Sequence, residues 1–429
     1  MNKKLALTPP MGWNSWDCYG ASVTEEEVRG NAEYMVKYLK KYGWEYVVID
    51  AQWFEPTANS SIYHVDAIFN MDKYGRLMPA VNRFPSALGG NGFKPLADYI
   101  HSLGLKFGIH MMRGIPRQAV NINTPILGSE KRAQDIADIN SICSWNGDMF
   151  GIDATKEGAA EYYDSVFKLL AEWEIDFVKV DDIVNPYSKG EIELVYHAIE
   201  KCGRKIVLSL SPGASPIEEA EHLKKYAQLW RISSDFWDKW EHLYDAFEKC
   251  HLWENNIGEG HWPDADMLPL GRIGIRSFEH LVGDRNSRYT RDEQTTLMTL
   301  WCIARSPLFL GCELRDNDSW TLSILTNEEV LKVHRESCLN RQLYRHGNEI
   351  IWTASDNNNI YVAVFNTSSD APSTQITFNL SDLGVKGKVA IRDLWKKTEL
   401  GIFEDEVKLD VSSHGARLIK IVIKSMSDI

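Results

Sequence analysis

Short apolar, β-branched runs alternate with helix-period stretches through the first three-quarters of the chain. The runs are YVVID (46–50), KFGIHMM (106–112), FVKVDD (177–182), KIVLSLSP (205–212), LWRISSD (229–235) and SPLFLG (306–311). MGWNSW (11–16) and HWPDADM (261–267) supply two further candidates. Between them the apolar period lengthens to that of a helix. One helix is predicted to start at Thr24, where Glu27 completes a capping box, and its Val28, Ala32, Met35 and Leu39 fall on one face. Strand–helix alternation of this kind argues for a parallel sheet. About eight strands favour a closed barrel over an open doubly wound sheet, and no Gly-rich phosphate loop follows the first strand.

After about residue 335 the pattern changes. EIIWTAS, NIYVAVFNTS, TQITFNLS, KVAIRDLW and ARLIKIVI succeed one another with turn residues between them and no long helix. The chain is therefore predicted to be α/β: a (β/α)8 TIM barrel over 1–335, then a C-terminal antiparallel β-sandwich domain over 336–429.

Composition adds exclusions. A net charge of −13 without a long basic run argues against nucleic acid and anionic membrane as partners. No window of about 18 apolar residues suggests a membrane span. MNKKLALTPP starts basic, but its apolar run is too short for a signal peptide. The seven cysteines are scattered without a CxxC pair, which fits reduced thiols and a cytoplasmic location. The 15 tryptophans include potential sugar-stacking platforms, although core packing is the default for any one of them.

In a barrel the working groups sit at the C-terminal ends of the strands. Asp50 ends one run. Lys179 and Asp181, two apart, share a face of another, with Val180 pointing the other way. Arg231, Ser233 and Asp235 share a face, and Asp264 and Asp266 close a further segment. Any one of these aspartates alone reads as a helix cap or a loop salt bridge; four strand ends carrying the same kind of group read as a site. Lys179 and Arg231 would repel a cation there, and no HExxH or Cys/His ligand set is present, so neither metal nor cofactor is expected. Two carboxylates with hydroxyl-binding cations suit glycoside hydrolysis. A metal-dependent barrel hydrolase and a catalytically inactive carbohydrate-binding barrel are the rivals.

PPMGWNSW, YVVIDAQW, FVKVDD, WRISSD and HWPDADML, in this order, resemble glycoside hydrolase family 27, the α-galactosidase and α-N-acetylgalactosaminidase family, over nearly the whole chain. The resemblance implies a retaining mechanism with Asp181 as nucleophile in a K-x-D pattern and Asp235 as general acid/base in an R-x-x-x-D pattern. It also implies a sugar site lined by Trp13, Asp50, Lys179, Arg231 and Asp266. Lys179 would favour the ionised form of Asp181, whose charge would keep Asp235 protonated until the glycosyl-enzyme forms. Asp182, where the family usually has Asn, is expected to be structural.

Two departures bear on the sugar. The family's paired aspartates are here Asp50-Ala51, so the grip on the galactose hydroxymethyl side loses one carboxylate; β-L-arabinopyranose is galactose-like but lacks that group. In SLSPGA, Ser211 and Ala214 stand where α-galactosidases have Glu and a bulkier residue reading the 2-hydroxyl, a small pair resembling the α-N-acetylgalactosaminidases. The expected activity is exo-hydrolysis of terminal α-D-galactosides, with β-L-arabinopyranosidase and α-N-acetylgalactosaminidase as alternatives. The expected partner is a galactoside or related oligosaccharide, and a homo-oligomer is compatible with the sequence.

Overall fold

Eight short parallel strands carry the runs read above. They are β1 (Met11–Asn14), β2 (Tyr46–Ile49), β3 (Lys106–Met112), β4 (Phe177–Asp181), β5 (Val207–Leu210), β6 (Leu229–Arg231), β7 (Trp262–Asp264) and β8 (Leu308–Leu310). They form one sheet in the order β7-β6-β5-β4-β3-β2-β1-β8, and a parallel bridge between Leu268, just after β7, and Leu310 joins its two ends. The result is a TIM barrel. This computed structural model describes residues 5–278 and 282–423; the basic start of the chain, with Lys3 and Lys4, lies outside them.

Strand alternation sorts the side chains into two cores. Inward-pointing Tyr46, Val48, Phe177, Val207, Leu229, Trp262 and Phe309 fill the barrel bore. Tyr46, Phe177 and Phe309 meet there with ring centroids 5.3–6.3 Å apart. Bulk on those strands requires its absence on their neighbours: a Cβ at Gly12 would come within 2.6 Å of the Tyr46 side chain. Outward-pointing residues pack against the helix ring. The first long helix, α1 (Glu25–Tyr38), starts at the Thr24 capping box, with the Glu27 amide 3.4 Å from Thr24 Oγ1 and the Thr24 amide 2.9 Å from Glu27 Oε2. Val28, Ala32, Met35 and Leu39 are fully buried beneath it.

Helix α2 (Glu328–Glu336) is followed directly by the strand Cys338–His346, the first of a six-stranded antiparallel sheet. A second layer, Ser373–Asn379 paired with Glu406–Ser412, covers it over a core that includes Val362, Ile376, Phe378, Leu409 and Ile419. This is the β-sandwich. Three of its strands, Cys338–His346, Thr398–Phe403 and Glu406–Ser412, add to the five read from sequence. The first two bury at most one residue and carry little apolar signal, and the third buries only alternate residues. Trp352, Phe365 and Leu418 of the sandwich belong to the same continuous apolar core as the barrel helices.

Candidate active site

The alternation that fills the bore with apolar groups continues past the strand ends with polar ones. Above Tyr46 and Val48 comes Asp50; above Phe177 come Lys179 and Asp181; above Leu229 comes Arg231; above Trp262 come Asp264 and Asp266. Asp50, Lys179, Asp181, Arg231 and Asp266 enter a cavity of about 580 Å³ at the C-terminal mouth of the barrel, and Asp264 lies outside its lining.

Lys179 Nζ lies 3.0 Å from Asp50 Oδ2 and 3.9 Å from Asp181 Oδ1. Asn14 Nδ2 donates to Asp50 Oδ2 at 2.7 Å. Asp181 also receives His110 Nε2 at 2.8 Å on Oδ2 and the Ser211 hydroxyl on Oδ1. Burial alone would push the Asp181 carboxyl up, but the Lys179 charge, His110 and the Ser211 hydrogen bond outweigh it and hold the group well below the usual carboxylate range. Asp50 is lowered by the same balance of burial against Lys179 and His110. Asp181 is thus held as an anion with both oxygens oriented.

Across the cavity Arg231 Nη2 contacts Asp266 Oδ2 at 2.7 Å and Asp235 Oδ1 at 3.3 Å. The Phe236 amide donates to Asp266 Oδ2 at 2.8 Å. Burial, helped by Asp235 and Asp264, pushes Asp266 up to about 7 against the pull of Arg231. The Asp235 side chain is 64% exposed, so it faces the open side of the cavity. One carboxylate is therefore enclosed and clamped, the other open to solvent.

Asp182 also reaches the cavity wall. Its φ of 60° is the left-handed region, which Asn and Asp tolerate better than most residues. Its carboxylate pairs with Arg113 at 3.0 Å, and Arg113 in turn holds Glu191 at 2.9 Å. That buried network holds the Asp182 carboxylate in place.

Three expectations are corrected. Trp13 is fully buried with its indole N–H on the Cys312 carbonyl at 2.7 Å; it alternates with inward Gly12 and Asn14, so it points into the outer core. Trp16, just past the strand, lines the cavity instead. Ala51 is 2% exposed and lies outside the lining, because the chain turns after Asp50. Ala214 is solvent-exposed outside it as well, while Pro212 and Gly213 of the same loop face inward; Ser211 is spent on Asp181.

His110, Tyr63 and Asp17 were not found by sequence reasoning. His110 was legible: in KFGIHMM it shares the inward face with Gly108, two residues on. Tyr63 comes from the long β2 loop, where no periodicity marks it. Asp17 lines the cavity beside Trp16, and burial pushes its carboxyl well above the ordinary range, with Oδ2 lacking a hydrogen-bond partner among the described residues.

Comparison with known proteins gives the family. The model "Alpha galactosidase A" matches residues 8–157 and 154–336, and "Alpha galactosidase C-terminal beta sandwich domain" matches 346–421. The chain belongs to glycoside hydrolase family 27. It is 58% identical to the family 27 β-L-arabinopyranosidase of Geobacillus stearothermophilus, with a TM-score of 0.97 over 99% of this chain and 98% of that one. A Bacillus halodurans protein described as a candidate α-N-acetylgalactosaminidase is 55% identical, with a TM-score of 0.89 over 98% of each chain. The α-galactosidase of Cyamopsis tetragonoloba is 26% identical over 98% of this chain and 88% of that protein. Family 27 membership makes the chain a glycosidase.

Proposed function

We propose that this glycosidase is a retaining exo-β-L-arabinopyranosidase that also accepts terminal α-D-galactosides. The observation that carries the order of substrates is the 58% identity, over essentially the full length, to a β-L-arabinopyranosidase. Ala51 lies outside the cavity lining, so the Asp50-Ala51 pair adds no argument about a hydroxymethyl group. The α-galactosidase reading placed first from sequence moves to second, since the relatives bearing that name are 18–27% identical. The N-acetylgalactosaminidase reading loses its sequence argument with Ala214 outside the cavity.

In this reading Asp181 attacks the anomeric carbon while Asp235 gives its proton to the departing glycosidic oxygen. The C–O bond to the leaving group breaks as the ester to Asp181 forms. Asp235, now a carboxylate, takes a proton from water, whose oxygen attacks the same carbon and frees Asp181. His110, Ser211 and Lys179 favour the ionised carboxylate and so favour ester breakdown. Lys179, Asp50, Arg231 and Asp266 offer hydrogen bonds to the ring hydroxyls.

A panel of nitrophenyl glycosides tests this. Nitrophenyl β-L-arabinopyranoside should give the highest kcat/KM, the α-galactoside a lower but measurable one, and the α-N-acetylgalactosaminide none. NMR of the first-formed sugar should show the anomeric configuration of the substrate. A preference for the galactosaminide, or inverted product, would overturn the proposal.

A further inference from the structure

We infer that the groove beside the cavity binds the leaving group, and that this leaving group is itself a chain of sugars. The inference rests on the function proposed above. A second depression of about 630 Å³ adjoins the first, and the two share Tyr63 and Trp145 in their walls.

Three aromatic rings step across the boundary. Trp16, on the cavity wall, stacks on Tyr63 with centroids 6.0 Å apart and planes 23° apart. Tyr63 meets Trp145 at 5.9 Å and 41°. Trp145 is 40% exposed, whereas Trp44, Trp230, Trp253, Trp262, Trp301 and Trp352 are fully buried. An indole costs free energy when left in water, and its flat apolar face with one polar N–H matches a sugar ring, apolar on its faces and polar at its edge.

The groove continues this two-sided character. Ile68 and Ile122 are exposed along it at 77% and 63%. Asn121 and Arg117 line it as well, with the Arg117 guanidinium 3.6 Å from Asp66. An exo-acting enzyme holds only the terminal sugar over its carboxylates, so everything attached to that sugar must lie at the mouth. The groove is continuous with that mouth by way of Tyr63 and Trp145. A nitrophenyl leaving group fills about the space of one sugar, whereas a chain of two or three sugars would extend along the groove.

The test is a set of substrates in which β-L-arabinopyranose caps one, two or three further sugars, compared with the nitrophenyl glycoside. kcat/KM should rise about tenfold as the leaving group lengthens from one sugar to three. Trp145→Ala should remove most of that rise, lowering the ratio of long-chain to nitrophenyl kcat/KM about tenfold. Asn121→Ala, which touches only the groove, should lower the ratio about threefold with the nitrophenyl rate unchanged.

A flat dependence on length, or equal loss on all substrates in both variants, would overturn the inference while leaving the proposed function standing. So would sedimentation showing a dimer that Ile68→Asp dissolves without altering the length dependence, for then a second copy of the chain occupies the groove. No cleavage anywhere in the nitrophenyl panel would overturn the proposed function and this inference together.

Discussion

At the scale of single residues, the two carboxylates are separated by environment. Asp181 is 7% exposed, Asp235 lies open at the mouth, and Lys179 is nearer the first. Asp181→Gly should abolish turnover, and added azide should restore it by attacking from the vacated side. Asp235→Ala should spare nitrophenyl substrates, whose leaving group needs little protonation, and lose at least about a hundredfold on sugar leaving groups. The kcat/KM of both variants with and without azide decides it; no rescue of either, with equal loss on all leaving groups, would refute the assignment. The pH dependence of stability has a definite sign. Asp181 and Asp50 have lowered folded-state pKa values, so the stability they contribute is present above about pH 4, the ordinary carboxylate value, and is lost as pH falls towards the folded values. Asp266 works oppositely: raised to about 7, it contributes stability below about pH 4 that is lost as pH rises to 7.

At the scale of elements, some helix starts have a local cause. The Thr24 cap is reinforced from outside its helix, because Arg276 Nη2 grips Glu27 at 2.7 Å. Thr24→Ala removes the side-chain acceptor for the Glu27 amide but leaves that ion pair. It should cost about 1 kcal/mol of unfolding free energy, measured by urea denaturation, with kcat/KM unchanged. A loss well beyond 2 kcal/mol would mean that Thr24 also positions the loop at Arg276. The β3–β4 connection behaves differently. It is a small antiparallel sheet, Ile115–Pro116, Ala137–Ile142 and Met149–Ile152, whose outer strand is half exposed. That excursion carries Trp145, so the crown built on the barrel shapes the mouth independently of the strands below.

At the scale of the whole molecule, barrel and sandwich are joined by a packed interface. Phe247 meets Phe365 at 4.9 Å, and Trp240 stacks on His414 at 3.6 Å. Arg392 clasps Glu329 at 2.8 Å through two nitrogens, and Trp395 Nε1 donates to Thr299 at 2.8 Å. Interfaces this apolar do not behave as flexible hinges. Calorimetry should therefore show one cooperative transition for the full chain. The fragment 1–335 should be insoluble or lack a sharp melt, since it would expose the faces of the helices that meet Trp352 and Phe365. Two separated transitions, or a stable active barrel fragment, would show that the interface contributes little.

What the sequence determined was whatever repeats locally. Six apolar runs marked six of the eight strands, because a strand buried on both faces is apolar along its length, and MGWNSW and HWPDADM supplied the other two candidates. The parity of Lys179 and Asp181, or of Arg231 and Asp235, placed polar groups on the bore side because side chains alternate with period two. The same parity would have put Trp13 in the outer core and His110 beside Asp181, had it been applied at every strand end. Tertiary structure alone decided the rest. Ala51 and Ala214 leave the cavity because the chain turns after the strands, and no local pattern records the direction of a turn. The strands at 338–346 and 398–403 bury too little to leave an apolar signature. Trp16, Tyr63 and Trp145 come from three separate connections and become one aromatic line only when the barrel closes, since their contacts are between residues far apart in the chain.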